Sequence, residues 1–348
     1  MPMNISEQLR NQLFDQELLH APGQTFLAEE HDQLADFSLD FLQKRKKGKV
    51  RVVEAPTFAY PIADTHAHLE MLSNPVASLA RCACYGLRFI CSITDPVEDM
   101  KTTLARVEQW KSDAQNLLTQ HGLEEFSSGV PHIRVAMGCH PHNAKDYTKS
   151  LEDEFIKTLK NPLVCAIGEV GLDYHYDLSP REDQREVFKR QIQLAHESGL
   201  PLLLHMREAH DEGLEILSAE GFPEAGVLLH CFNLDPQTLK PWLENGCYIA
   251  FGGPVTFNKA DEVRESASLV SLDRLLTETD SPYMTPEPLR GMECGPEHTI
   301  FTVKKLLEVF ADKWPEKPAD QLEEELLGAL YQNALSLLDR EVTTWQAS

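Results

Sequence analysis

Pro61-Ile62-Ala63-Asp64-Thr65-His66-Ala67-His68-Leu69-Glu70 begins as a short apolar run and closes on two histidines set two apart. In an extended chain, residues i and i+2 face the same way, so His66 and His68 point together from the end of a predicted strand. The plan recurs downstream. Seven further apolar runs follow, at Arg88–Thr94, Ile133–Cys139, Leu163–Gly168, Leu200–His205, Gly226–His230, Cys247–Phe251 and Leu275–Thr279. Longer helix-period segments separate them, the signature of βα units. Near-continuous apolar strands belong to sheets covered on both faces, and eight such units close a barrel. The expected fold is therefore α/β, a (β/α)8 TIM-type barrel over residues 61–340, with residues 341–348 as a tail. Ser179-Pro180-Arg181-Glu182 reads as a capping box opening one helix, and Gly199 as its C-terminal stop.

Residues 1–60 follow a different pattern and form the expected N-terminal extension. Leu27, Leu34, Phe37 and Phe41 fall at helical spacing after Thr25, which predicts an amphipathic helix docked on the barrel. Acidic side chains dominate up to residue 43. Lys44, Arg45, Lys46, Lys47, Lys49 and Arg51 then follow, and read first as a solvated linker, otherwise as a nuclear signal or a phosphate-binding arm.

The 348 residues carry a formal net charge of -23, which argues against a broad basic surface for nucleic acid; recognition of phosphate has to be local. The eight cysteines lack CxxC spacing and sit mostly in apolar runs, as buried reduced thiols do. No apolar stretch is long enough for a membrane span, and the first residues lack the apolar core of an export signal. A cytoplasmic location is the expectation, with the basic run at 44–51 as the argument for a nuclear one.

The chemistry lies in the strand ends. His66, His68, Glu169, His205, His230 and Asp280 fall at or just past the ends of predicted strands one, four, five, six and eight, on the face where barrel active sites form. Imidazole with carboxylate suits Zn, Mn, Fe or similar divalent ions. Six such groups exceed one tetrahedral site, so two ions are the economical reading, with Glu169 placed between them. His140 and His142 end strand three. Arg207 follows His205 and faces either a substrate phosphate or a local carboxylate. Tyr174 is either a stacking platform or a packed loop residue. His175, His196, His210 and His298 are read as surface or loop residues.

Six segments together resemble the TatD family of metal-dependent deoxyribonucleases: His66-Ala67-His68-Leu69-Glu70, Gly138-Cys139-His140-Pro141-His142, Ile167-Gly168-Glu169-Val170-Gly171-Leu172-Asp173-Tyr174, Leu204-His205-Met206-Arg207-Glu208-Ala209, Leu229-His230-Cys231-Phe232 and Glu278-Thr279-Asp280-Ser281-Pro282-Tyr283. The resemblance runs from about residue 61 to 340. It implies an amidohydrolase-like barrel with two divalent ions (Zn, Mn, Mg, Fe or Ni), one on His66, His68 and Asp280, the other on His205 and His230, with Glu169 touching both. It also implies hydrolysis of DNA, typically 3′-to-5′ trimming. Apart from the resemblance, Asp280 reads either as the group that orients and deprotonates the attacking water or as a purely structural ligand, and Glu169 shares the catalytic centre. His140 and His142 take either a substrate contact or a structural hydrogen bond, with Tyr174 and Arg207 as the other candidates for substrate contact. The chain departs from the family pattern in one loop. Arg290-Gly291-Met292-Glu293-Cys294-Gly295-Pro296 stands where similar proteins read RGK-x-N-x-P, so the Lys and Asn are absent. Two other functions remain in view: a barrel hydrolase of a small phosphoester, lactone or amide, and a binding protein without catalysis. The complete ligand set argues against the latter.

Overall fold

A computed structural model describes residues 13–28 and 37–348. Eight parallel strands in chain order make the barrel: β4 (Ile62–Ala67), β5 (Leu87–Thr94), β6 (His132–Met137), β7 (Val164–Asp173), β8 (Leu202–Arg207), β9 (Val227–Leu229), β10 (Tyr248–Phe251) and β11 (Leu275–Thr277). Helices α1 (Pro75–Cys84), α2 (Met100–Gln120), α3 (Lys149–Thr158), α4 (Arg181–Ser198), α5 (His210–Glu220), α6 (Pro236–Glu244), α7 (Asp261–Leu269), α8 (Thr299–Lys313) and α9 (Ala319–Leu338) alternate with and follow the strands. The (β/α)8 architecture expected from the apolar runs is the one observed.

Alternation along the strands sorts side chains between two apolar clusters. Leu202 and Leu204 of β8 face the outer helices while Leu203 faces the barrel interior; Ile249 and Phe251 flank the inward Ala250 in the same way. The interior row includes Phe89, Cys91, Ala136, Leu228 and Leu276, and Leu337 and Leu338 of α9 belong to the same cluster. A period of two carries these inward rows to the mouth: Leu203 leads to His205, and Leu228 to His230. Parity alone does not deliver Glu169. A shift of register between β7 and β8, at Ile167 to Val170, re-aims that part of the strand.

Two glycines permit the close strand contact there. A Cβ on Gly168 would stand 2.4 Å from the Cβ of Leu203, and one on Gly171, at φ +146°, would stand 2.0 Å from the carbonyl oxygen of His205.

The barrel closes between β4 and β11 by a seam built largely from side chains. Thr65 Oγ1 donates to the carbonyl of Thr277 at 3.0 Å, and Thr277 Oγ1 to that of Ala63 at 2.9 Å. The buried Asp64 accepts from Thr279 N at 3.0 Å, Thr279 Oγ1 at 2.6 Å and His66 N at 3.1 Å. Backbone bonds from Asp280 N to His66 O and from His68 N to Ser281 O complete the junction.

The described part of the extension combines helical residues, 13–15 and 28, with a small sheet. Thr25–Leu27 is strand β1, and Phe41–Lys44 (β2) and Lys49–Val53 (β3) form an antiparallel hairpin, giving a three-stranded sheet in the order β1-β3-β2. Thr25 is thus a strand residue paired with Arg51, not a helix cap, and Phe41 opens a strand. Leu34 lies outside the described residues. The basic run is likewise ordered as hairpin rather than linker. Helix α4 begins after Pro180 without a side-chain cap, because Ser179 Oγ donates instead to the carbonyl of His142 at 2.6 Å; Gly199, in the left-handed region at φ 66°, does end that helix.

Candidate metal centre

Glu169 is the hub of the barrel mouth. Its Oε2 lies 3.2 Å from His66 Nε2 and 3.6 Å from His68 Nε2. Its Oε1 lies 2.6 Å from His205 Nδ1, 2.8 Å from His230 Nε2 and 3.6 Å from His140 Nε2. Asp280 completes the Oε2 side, with Oδ1 3.6 Å from His68 Nε2 and 3.9 Å from His66 Nε2. One carboxylate therefore presents each oxygen to a separate set of imidazoles. The structure brings together all six residues read as ligands, and adds His140 to the group around His205.

Burial pushes Glu169 toward its neutral form, but the neighbouring charges of His230, His66 and His140 outweigh it and hold the carboxyl well below its ordinary range. Asp280 follows the same logic. Burial raises it, while the hydrogen bond with His68 and the charges of His230 and His66 bring it below the usual carboxylate value. Burial also disfavours charge on the histidines: His140 is lowered to about 4, and His66 is lowered, with His230 adding to the effect. His230 goes the other way, because Glu169 and Glu278 overcome its burial. Two carboxylates stay ionised amid imidazoles of differing basicity.

A metal centre has to fit this geometry by its donors. His66 Nδ1 and His230 Nδ1 are buried without a hydrogen-bond partner, and three imidazole nitrogens crowd a single oxygen of Glu169. Imidazole lone pairs converging on a carboxylate are stabilised by a cation between them, and the nitrogen and oxygen set is that of Zn, Mn or Fe rather than Ca. The His/Glu clusters on the two sides of Glu169 suit a binuclear divalent site.

Carboxylates beneath the mouth hold the rings in place. Asp173, fully buried, sets Oδ2 2.8 Å from His142 Nε2 and 3.2 Å from His205 Nε2, and its own Oδ1 accepts from His175 N and Tyr176 N. Glu278, also fully buried, accepts from Cys231 N and stands 3.5 Å from His230 Nδ1. Asp95 accepts from the backbone of His140 and Val97 and from Asn143, and burial pushes it up to about 6. Asp173 and Glu278 lie inside motifs quoted above, but spacing alone gave neither a role. Each faces a histidine distant in sequence.

The mouth opens into a cavity of about 480 Å³ lined by His68, His140, His142, Arg207 and Asp280, with Tyr176 and Tyr283 among its walls. Arg207 has no carboxylate partner among the described residues; its guanidinium lies 4.5 Å from the ring centre of Tyr176. Tyr174 does not line this cavity. It packs against the outer core with Arg181 over its ring at 4.1 Å, and Tyr176, two residues on, occupies the mouth instead. His175 and His196 are exposed as expected, whereas His298 is buried against Gly295 and His210 is half-buried near Phe232 and Trp242. No described helix is long and apolar enough to cross a membrane.

The family model described as TatD related DNase matches residues 63–339. Among curated proteins, the chain is 42% identical over 241 residues to YcfH, an uncharacterized metal-dependent hydrolase of Escherichia coli strain K12, covering 68% of this chain and 83% of that protein. It is 34% identical over 160 residues to the 3′-5′ ssDNA/RNA exonuclease TatD of Salmonella typhimurium, covering 46% of this chain and 62% of the relative. Among solved structures, the TatD homolog YJJV of Escherichia coli aligns with a TM-score of 0.66 at 26% identity, over 80% of this chain and 98% of that one.

Proposed function

Because the chain belongs to the family of TatD related DNases and is a metal-dependent hydrolase, we propose that it cleaves phosphodiester bonds in single-stranded DNA, trimming from the 3′ end. The single observation that carries the reading is Glu169, whose two oxygens face two separate imidazole sets on the floor of a cavity that Arg207 enters without a carboxylate partner. In this reading His66, His68 and Asp280 would hold one divalent ion and His205 and His230 the other, with Glu169 shared between the two sets. Such ions supply Lewis-acid charge and make water acidic enough to attack phosphorus near neutral pH.

The chain's own groups do the rest. Asp280, kept ionised by His68, His230 and His66, accepts the proton of the attacking water at its carboxylate. Arg207 offers a planar pair of donors to the phosphate, and its ring partner Tyr176 fixes its plane. His140, largely neutral at pH 7, donates a hydrogen bond to a phosphate oxygen, while His142 is held by Asp173 at the same wall. Half-exposed Tyr176 and Tyr283 provide faces on which a base stacks. The test uses single-stranded DNA labelled at either end, with Mn, Mg or Zn added. Asp280→Asn with its metal content intact loses at least about a hundredfold in rate; full activity in that variant removes the base role, and no digestion with any metal removes the nuclease reading.

A further inference from the structure

The β2–β3 hairpin carries Lys44, Arg45, Lys46, Lys47, Lys49 and Arg51, all exposed, in a chain whose net charge is -23. None of the six forms an ion pair among the described residues; the guanidinium of Arg45 donates to Gln43 at 3.3 Å. The clustering follows from the strand itself. Val50 and Val52 of β3 are buried, so Lys49 and Arg51 alternate outward. Lys47 and Gly48 reverse the chain with φ of 62° and 68° and present the cations of the turn to solvent.

The hairpin is fixed rather than loose. Phe41, at its base, sits among Tyr85, Phe301 and His298, with ring centres 4.8, 5.1 and 5.3 Å away. Its other end reaches the loop that follows β11. A Cβ on Gly291 would stand 3.3 Å from Cδ of Lys44.

Gly291 follows Arg290, which opens onto a second cavity of about 560 Å³ together with Lys259, Asn258 and Phe257. The Arg290 guanidinium stacks 4.0 Å above the Phe257 ring. Met284 is a wall of both this cavity and the catalytic one. Met284 thus joins the two cavities, and Arg290 and Phe257 of the second, which Glu287 also lines, lead toward the hairpin beside the loop where Met292 stands in place of the family's Lys.

We propose that the hairpin and the second cavity form a track for the phosphate backbone of a single strand whose end lies in the catalytic cavity. The inference rests on the nuclease reading for the occupant of that cavity. A groove that follows a strand combines local positive charge with rings for stacking, and the surrounding negative charge confines the strand to the track.

The experiment compares the metal-loaded full chain with a variant carrying Lys44→Glu, Lys46→Glu and Lys47→Glu, and with a milder one carrying Gln at the same positions. The substrates are a single-stranded oligonucleotide of about twenty nucleotides and the small diester bis(p-nitrophenyl) phosphate, with oligonucleotide binding followed separately by fluorescence anisotropy. The Glu variant is expected to raise KM for the oligonucleotide about tenfold or more, and the Gln variant to make the salt dependence of binding shallower by about 2 in log–log slope. Turnover of the small diester stays as in the parent, which shows that the fold and metal centre are intact. Equal KM and equal salt slope in parent and variants overturn the track while leaving the nuclease reading in place. A parent that binds the oligonucleotide through the hairpin but never cleaves it overturns the nuclease reading and keeps the track. Hairpin-dependent binding to anionic lipid vesicles, with none to the oligonucleotide, overturns the track in favour of a membrane surface.

Discussion

Oδ2 of Asp173 lies 3.2 Å from Nε2 of His205, whose other ring nitrogen is 2.6 Å from Glu169. One imidazole is thereby set between two carboxylates, and its plane is not free to turn. Burial raises Asp173, but its hydrogen bonds with His142 and His205 hold it far below the ordinary carboxylate range, so it remains charged. Partners of this kind fix the tautomer and basicity of a ligating ring. Asp173→Asn is expected to weaken divalent-metal affinity or activity by about ten- to a hundredfold, and also to lower the melting temperature of the metal-free protein, because the buried charge-assisted hydrogen bonds are weakened. Competition against a chelator measures the first, and calorimetry the second; unaltered affinity and rate together remove the orienting role.

Asp64 bears on stability through the seam rather than on chemistry. Its carboxyl is fully buried and accepts from Thr279 N, Thr279 Oγ1 and His66 N. Asp64→Ala leaves those donors unsatisfied, each at about 1–3 kcal/mol. Urea unfolding is expected to record a loss of at least about 2 kcal/mol, part of it recovered in Asp64→Asn, which still accepts through one oxygen. A loss below about 0.5 kcal/mol means that the seam is held elsewhere.

A pH dependence follows from His210, half-buried beside Phe232 and Trp242. Burial, reinforced by His205, lowers it from 6.5 to about 4. A histidine lowered on folding prefers its neutral form in the native state. Its contribution is complete above pH 6.5 and is lost as pH falls toward 4. In metal-free protein, His210→Gln should flatten the fall in stability over that window by up to about 3 kcal/mol. Denaturant melts at several pH values across the window check it, and parallel curves for parent and variant contradict it.

The barrel was legible in the chain because its physics is local and repeated. Each buried parallel strand needs an apolar run, and each ends where polar residues reach the mouth, so His205 and His230 could be placed from Leu203 and Leu228 by parity. Glu169 was found by its place just past a predicted strand end, while the register shift that aims it has no local signature. Asp173 and Glu278 escaped because a carboxylate that orients a distant ring leaves no spacing to read. Tyr174 and Tyr176 differ by two residues, and both follow β7, which ends at Asp173, so strand parity does not decide which of them enters the mouth. Ser179 looked like a helix cap until the carbonyl of His142 competed for its hydroxyl. In the extension, helical spacing misled at its two ends, Thr25 and Phe41, which belong to short strands whose pairing with β3 is a tertiary matter; the stretch between them lies largely outside the described residues.

The seam between β4 and β11 also sets a timetable. His66 and His68 leave the ribosome long before Asp280, about 200 residues later, an interval of roughly ten to forty seconds at about 5–20 residues per second. During synthesis the first two histidines, Glu169, His205 and His230 are present in turn while the last carboxylate is not. The threonine contacts that close the cylinder are the same ones that seat Asp280 next to His66. Under the proposed scheme, full loading with metal is tied to the synthesis of Asp280, and a polypeptide that ends before it lacks the group proposed to take the proton.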